Sequence, residues 1–185
     1  MPTSVRERTG QAMPLHIVLF EPEIPPNTGN IARLCAATGT ALHLIEPLGF
    51  SLDDKQLKRA GLDYWPVVDV HVWPGLDAYL GADGAGRRLV ASSAKYGGVA
   101  GKDAHRFAFT PADALLLGPE SRGLPPAVLE RAAERVRIPI RAEVRSLNLS
   151  TAAGVLLYMA LAGCGLLDAP EFDARASAHA MGRQG

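Results

Sequence analysis

Apolar residues along this chain fall into short runs separated by amphipathic stretches and by loops rich in proline and glycine. Leu15 to Phe20 (LHIVLF) is apolar with a β-branched centre and runs into a proline-rich loop, which predicts a buried strand. Pro25-Pro26 stiffens the approach to a helix that begins near Asn30, with Asn27 or Thr28 placed to cap it, and Gly39 ends it. Ala41 to Ile45 is the next strand, and Leu52 to Ala60 has helical periodicity. Val67 to Val72 predicts a strand, Gly75 to Leu80 a short helix, and Arg88 to Ser92 another strand. Ala114 to Leu117 is an apolar run that leads into a glycine loop. A helix over Pro125 to Arg135 follows, with Pro125 or Pro126 in its first turn. Val136 to Ile140 reads as the final strand and Leu149 to Gly163 as the final helix. Strands alternating with helices argue for an α/β fold: a mostly parallel sheet with helices on both faces.

The chain has 185 residues, enough for one domain with a real core, and shows neither an internal repeat nor a linker between domains. The expected division is a folded domain over 15–167, flanked by a flexible extension at 1–14 and a flexible tail at 168–185. Met13 is a second candidate for the natural start. A hydrophobic fraction of 48% and a charged fraction of 21% are ordinary for a soluble globular protein. The polar first dozen residues carry no signal-peptide pattern. The longest apolar run, Leu149 to Leu167, follows Asn148 and includes Ser150, Thr151 and glycines. It is expected to be a buried or interface helix rather than a membrane span, so no membrane partner is implied. Cys35 and Cys164 lie in apolar helical patterns with no metal-ligand spacing. They read as small buried hydrophobes of a reducing, cytoplasmic protein without a metal.

Lys and Arg total 19, matching 19 Asp and Glu, so no global positive field points to nucleic acid. The basic residues are uneven, however: Lys55, Lys58 and Arg59 form one group, and Arg131, Arg135, Arg137, Arg141 and Arg145 another. These are either solvated helix faces or local patches on which RNA could sit.

Three clusters carry candidate chemistry: Pro25-Pro26-Asn27-Thr28-Gly29-Asn30-Ile31-Ala32-Arg33, Gly118-Pro119-Glu120-Ser121-Arg122-Gly123, and Ser146-Leu147-Asn148-Leu149-Ser150. Taken alone, the glycine loop is a strand-ending turn with a Glu120–Arg122 surface pair, or a place where backbone approaches a ligand without an intervening Cβ. Ser146 and Asn148 can hold their loop by local side-chain hydrogen bonds and cap the last helix. Asn30 and Arg33 stand at i and i+3 and so share one helix face. A nicotinamide nucleotide is disfavoured because Gly81 to Gly86 lacks the strand–glycine–helix context.

In this order the three clusters resemble the motif set of the SPOUT methyltransferases, and within them the TrmH-like RNA ribose 2′-O-methyltransferases of the small TrmL type. The likeness runs from about Leu15 to Leu166. Glu21 to Asn30, Glu46-Pro47-Leu48-Gly49-Phe50 and Lys58-Arg59-Ala60-Gly61-Leu62-Asp63-Tyr64 resemble the TrmL type in particular. The resemblance implies a trefoil knot near the C-terminus, where ordinary topology rules would expect an unknotted sheet. It implies S-adenosyl-L-methionine as cofactor, with contacts at Ser92, Gly118, Ile138, Ser146 and Leu147. The family pattern has a larger apolar residue at the position of Ser92, so that contact is expected through the main chain. An arginine important for chemistry falls on Arg33, with Asn30 on the same helix face as a further catalytic candidate, while Glu120, Asn148 and Ser150 are expected to order pocket and substrate. A guanidinium keeps its proton at neutral pH and is a poor base, so Arg33 is expected to stabilise a developing alkoxide. The implied partners are the tRNA anticodon stem-loop, methylated on the wobble pyrimidine, and a second copy of the chain in a homodimer with composite sites. The competing readings are a relative acting on ribosomal RNA or another tRNA position, and a silent RNA-binding factor on the same fold.

Overall fold

The computed structural model describes residues 15–52, 67–93, 95–96 and 99–172. In chain order the strands are β1 (His16–Phe20), β2 (Ala41–Ile45), β3 (Val70–Trp73), β4 (Arg88–Ser92), β5 (Lys95–Tyr96), β6 (Val99–Ala100), β7 (Lys102–Asp103), β8 (Asp113–Leu117) and β9 (Glu134–Arg137). The helices are α1 (Pro25–Thr38), α2 (Leu76–Leu80), α3 (Pro126–Arg131) and α4 (Leu149–Gly163). Seven of the strands form one sheet in the order β3-β2-β1-β8-β4-β9-β7, and every pairing in it is parallel. β5 and β6 make a separate antiparallel pair.

Because side chains alternate along a strand, residues of opposite parity feed two cores. Ile17, Leu19, Leu42, Leu44, Val90, Leu115, Leu117 and Val136 pack in one cluster with Ile31, Cys35, Leu156 and Leu157 of α1 and α4. Val18, Phe20, Ile45, Leu89, Ala91, Ala114 and Leu116 pack in the other with Leu76 and Tyr79 of α2 and Leu129 of α3. Strands covered on both sides need near-continuous apolar runs, which Ile17 to Phe20 of β1 and Ala114 to Leu117 of β8 supply, while β2 is interrupted by the buried His43. Each fully buried leucine or isoleucine contributes about 1.5–3 kcal/mol relative to an exposed one. Polar rings inside the second core find partners: Trp73 Nε1 donates to His43 Nδ1 at 3.0 Å, and His16 Nδ1 lies 3.1 Å from the Tyr79 hydroxyl. Cys35 is fully buried, which pushes its thiol pKa up, and Cys164 is half-buried against the first core.

Several expected boundaries move. α1 starts at Pro25, well before Asn30, because the first turn of a helix has no use for the N–H that proline lacks. Its cap position is Ile24, without a side-chain bond, so neither Asn27 nor Thr28 caps it. The strand expected over Val67 to Val72 is Val70–Trp73, and Val67 is exposed. α3 stops at Arg131 rather than Arg135, since Ala133 N–H donates to Leu89 O at 3.0 Å and draws the chain into the sheet. The following strand is therefore Glu134–Arg137 rather than Val136 to Ile140. β2, β4 and α4 have the expected limits.

The expected helix from Leu52 to Ala60, the basic group Lys55, Lys58 and Arg59, the Lys58 to Tyr64 segment, the N-terminal extension and residues 173–185 lie outside the described residues, apart from Leu52. Within the expected tail, Pro170–Phe172 forms a 3-10 turn after another at Leu166–Asp168, with Phe172 packed against the first core. Among the described residues no helix is long and apolar enough to cross a membrane.

Candidate active site

Parallel strands share one C-terminal edge, and the loops leaving β1, β4, β8 and β9 meet there. Between them lies a cavity of about 510 Å³. Ser92 ends β4, Gly118 follows β8, Ile138 follows β9, and Ser146 with Leu147 precedes α4; every expected cofactor contact lines this cavity. Glu120 and Asn148 line it as well. Asn30, Arg33 and Ser150 do not. Asn30 and Arg33 are exposed on α1, one and two turns beyond the cavity-lining Asn27. Ser150 sits behind Asn148, its Oγ donating to Asn148 Oδ1 at 2.7 Å.

Gly118 is required by its own loop. A Cβ there would lie 2.5 Å from Leu124 N and 2.7 Å from Gly123 C, so any side chain would force the 118–124 turn open. Gly123 completes that turn at φ 68°, the left-handed region glycine tolerates.

A chain of hydrogen bonds ties the three motif clusters together. The Glu120 carboxylate accepts from Glu23 N–H at 2.9 Å, from Ile24 N–H at 3.3 Å and from Asn27 Nδ2 at 2.9 Å. Asn27 Oδ1 in turn accepts from Asn148 Nδ2 at 2.9 Å. Asn148 Oδ1 then caps α4, accepting from Ser150 N–H at 2.9 Å and Thr151 N–H at 3.3 Å. The orientation of both amides follows from the ends of this chain. Backbone N–H groups at α4 can only donate, so Asn148 must turn its oxygen to them and its NH₂ to Asn27. An ionised carboxylate can only accept, so Asn27 must turn its NH₂ to Glu120. The cap is supplied by Asn148, while Ser146 faces the cavity.

A reciprocal clasp closes the same loops from outside. Glu23 accepts from Ser121 N–H at 2.8 Å and from Ser121 Oγ at 2.7 Å, and Arg122 pairs with Glu21. The two hydrogen bonds from Ser121, side chain first, with the nearby Arg122 charge, hold the Glu23 carboxyl below its ordinary value. The sequence-level pair Glu120–Arg122 is thus replaced by Arg122–Glu21, with Glu120 turned inward. Glu21 itself sits at φ 49°, unusual for a residue with a side chain, and is anchored by its N–H donating to Ile45 O at 3.0 Å.

The charges at the cavity are few. Glu120 is held by neutral donors, so its negative charge is not cancelled within that network. Arg137 lies 2.6 Å from Asp103, and Arg145 also lines the wall. Asn27, Glu23 and Ser121 were not legible as site residues in the sequence, and Arg137 and Arg145 only as members of a basic group. The local signal at Asn27 was that of a helix cap, because its actual partners stand 93 and 121 positions away.

The sequence profile of the SpoU rRNA Methylase family matches residues 14–158. The chain is 52% identical over 147 residues to a tRNA (cytidine(34)-2′-O)-methyltransferase of Aeromonas hydrophila, covering 78% of this chain and 90% of the relative. A solved structure reported as giving insight into the 2-OH methylation of C/U34 on tRNA is similar with a TM-score of 0.74 and 49% identity, covering 80% of this chain and 95% of its own. The SpoU methyltransferase AviRb of Streptomyces viridochromogenes, solved in complex with the cofactor AdoMet, shares the fold at a TM-score of 0.72 and 24% identity, over 83% of this chain and 62% of that one.

Proposed function

This chain belongs to the SpoU rRNA Methylase family, and from that premise we propose that it methylates the ribose 2′-oxygen of the cytidine or uridine at tRNA position 34, the wobble nucleotide, using S-adenosyl-L-methionine. The observation that carries the reading is the convergence at one cavity of Ser92, Gly118, Ile138, Ser146 and Leu147 with the Glu120–Asn27–Asn148 chain. Family membership also implies the C-terminal trefoil knot.

The residues present fit the cofactor. A cavity of about 510 Å³ is of the size that holds a nucleoside-sized ligand, and its wall combines apolar Leu117, Ile138 and Leu147 with the backbone of the glycine turn. When bound, S-adenosyl-L-methionine supplies an electrophilic methyl group on a positively charged sulfur. Ile138 and Leu147 would take its purine, and Gly118, Ser92 and Ser146 its polar edges. Glu120, ionised and surrounded by neutral donors, gives the pocket a negative charge suited to a cationic ligand. Arg33 stabilises the alkoxide that develops as the ribose hydroxyl passes its proton to a phosphate of the substrate, and Asn30, Asn148 and Ser150 order the substrate around it. Holding oxygen, methyl carbon and sulfur in line is the larger contribution, worth about 7–11 kcal/mol for well-oriented reactants.

The working unit is the domain over 15–167, acting in the cytoplasm on the tRNA anticodon stem-loop as a homodimer with composite sites. Two features support the shared site: Arg33 is exposed and outside the cavity wall of a single chain, and the loop before α4 leaves Val144 51% and Leu147 36% exposed. Incubation with bulk tRNA and methyl-labelled cofactor, followed by nucleoside and position mapping, tests the function. 2′-O-methylcytidine or 2′-O-methyluridine at position 34 is expected. Label at another position or in ribosomal RNA overturns the substrate assignment, and cofactor binding without any transfer overturns the activity.

A further inference from the structure

A second cavity, of about 690 Å³, opens on the same edge of the sheet, over the ends of β2 and β3. Among the described residues its walls are Pro47, Leu48, Phe50, Ser51, Leu52, Val72 and Pro74, with Glu46 as the ionisable side chain. We propose that this cavity is a nucleobase subsite: it takes an unpaired base of the same RNA strand, close to the nucleotide being methylated. The proposal rests on the function argued above and adds to it the element that reads the substrate.

Position comes first. Ligands of parallel sheets bind beyond the C-terminal ends of the strands, and both cavities obey this. In the order β3-β2-β1-β8-β4, only β1 separates β2 from β8, so the two sites begin roughly 10 Å apart, two strand spacings. An unstacked RNA strand covers that distance within a nucleotide or two. The loops that line the two sites are also tied to one another. Gly49 N–H donates to Pro22 O at 2.9 Å, and a Cβ on Gly49 would lie 2.8 Å from Glu23 Cα. Glu23 N–H is itself a donor to Glu120. The loop after β2 is therefore fixed against the hydrogen-bond network of the first cavity.

The chemistry then selects a base over a phosphate. Glu46 repels phosphate oxygens, whereas its carboxylate accepts from an exocyclic amine of a base. Phe50 and Leu52 belong to neither hydrophobic core among the described residues, and Leu52 is 37% exposed. An aromatic ring outside both cores of the described residues, set among aliphatic and proline side chains, is what an unstacked base requires.

The test uses an anticodon stem-loop RNA, the same RNA with a single abasic nucleotide at each loop position in turn, and the variants Phe50→Leu, Phe50→Tyr and Glu46→Gln. Phe50→Leu is expected to raise KM for RNA about tenfold, as loss of one stacked base would, with kcat and the calorimetric Kd for S-adenosyl-L-methionine unchanged. Phe50→Tyr restores KM, and Glu46→Gln raises it several-fold only when the partner base carries an amine. One abasic position should reproduce the tenfold rise in the wild type and add nothing in Phe50→Leu. An unchanged KM in Phe50→Leu, or abasic penalties that add fully at every position, overturns the subsite, and so places any protein or other ligand ahead of RNA there. Failure of the wild type to methylate the intact stem-loop overturns the function instead, so the two failures are distinct.

Discussion

Asn148 Nδ2 donates a 2.9 Å hydrogen bond to Oδ1 of Asn27, joining the start of α4 to the first turns of α1 across 121 positions of sequence. Asn27 is 5% exposed, and its other side-chain partner is the Glu120 carboxylate. Through this one amide the three motif clusters become a single rigid unit at the cavity. Its geometry depends on an NH₂ facing a carboxylate at one end and a carbonyl facing backbone donors at the other.

Replacing Asn27 by Asp puts a second carboxylate 2.9 Å from Glu120, where the amide nitrogen now sits. Asn27→Asp should therefore be more damaging than Asn27→Ala, which only leaves acceptor and donor unmet at a cost of about 1–3 kcal/mol. Thermal denaturation of both variants checks the order. An Asp variant as stable as the Ala variant at neutral pH would contradict the assigned amide orientation.

Gly118→Ala should abolish cofactor binding while the domain remains folded. The added carbon meets the backbone of Leu124 at 2.5 Å, so the turn must open, yet the core strands are untouched. Calorimetric titration of the cofactor, alongside circular dichroism, reads both quantities.

Arg33→Ala should bind S-adenosyl-L-methionine nearly as the wild type does and lose methyl transfer. Removing one stabiliser of a developing oxyanion costs on the order of 100- to 1000-fold in turnover. Single-turnover measurements at saturating cofactor decide this, and unchanged turnover would remove Arg33 from the chemistry.

The Glu23 clasp gives an acid dependence of known sign. The Ser121 hydrogen bonds, then Arg122, depress the folded carboxyl relative to an unfolded one. Its contribution is thus present above the ordinary carboxylate value of about 4.3 and is lost as pH falls through the lower folded value. The clasp should persist throughout the neutral range, and Ser121→Ala should move the Glu23 titration, followed by carboxyl NMR, upward toward the ordinary value.

Asp113 is fully buried and binds Arg88 through both oxygens, at 2.7 and 2.8 Å, while also accepting from Thr110 N–H at 2.9 Å and Thr110 Oγ1 at 2.8 Å. It anchors the start of β8 against β4 and lies away from the cavity. Asp113→Ala should lower stability by about 2 kcal/mol, the scale of charge-assisted hydrogen bonds, because Arg88 remains partly in water. Urea denaturation measures it, with cofactor affinity unchanged at low denaturant.

β2, β4 and α4 could be placed to the residue from the chain alone, because apolar runs, glycine stops and an asparagine cap act over a few neighbouring positions. The motif loops were visible for the same reason, and the residues their family likeness marked as expected cofactor contacts line one cavity. Interactions between distant segments were hidden. The early end of α3 follows from a bond between Ala133 and Leu89, which no local propensity encodes. Asn27 looked like a cap and is instead the link between Glu120 and Asn148, since a side chain's partner is set by which loops the sheet order brings to the same edge. Backbone preference is local and survives in composition and spacing. Pairing across a hundred residues exists only once the strands have chosen their neighbours.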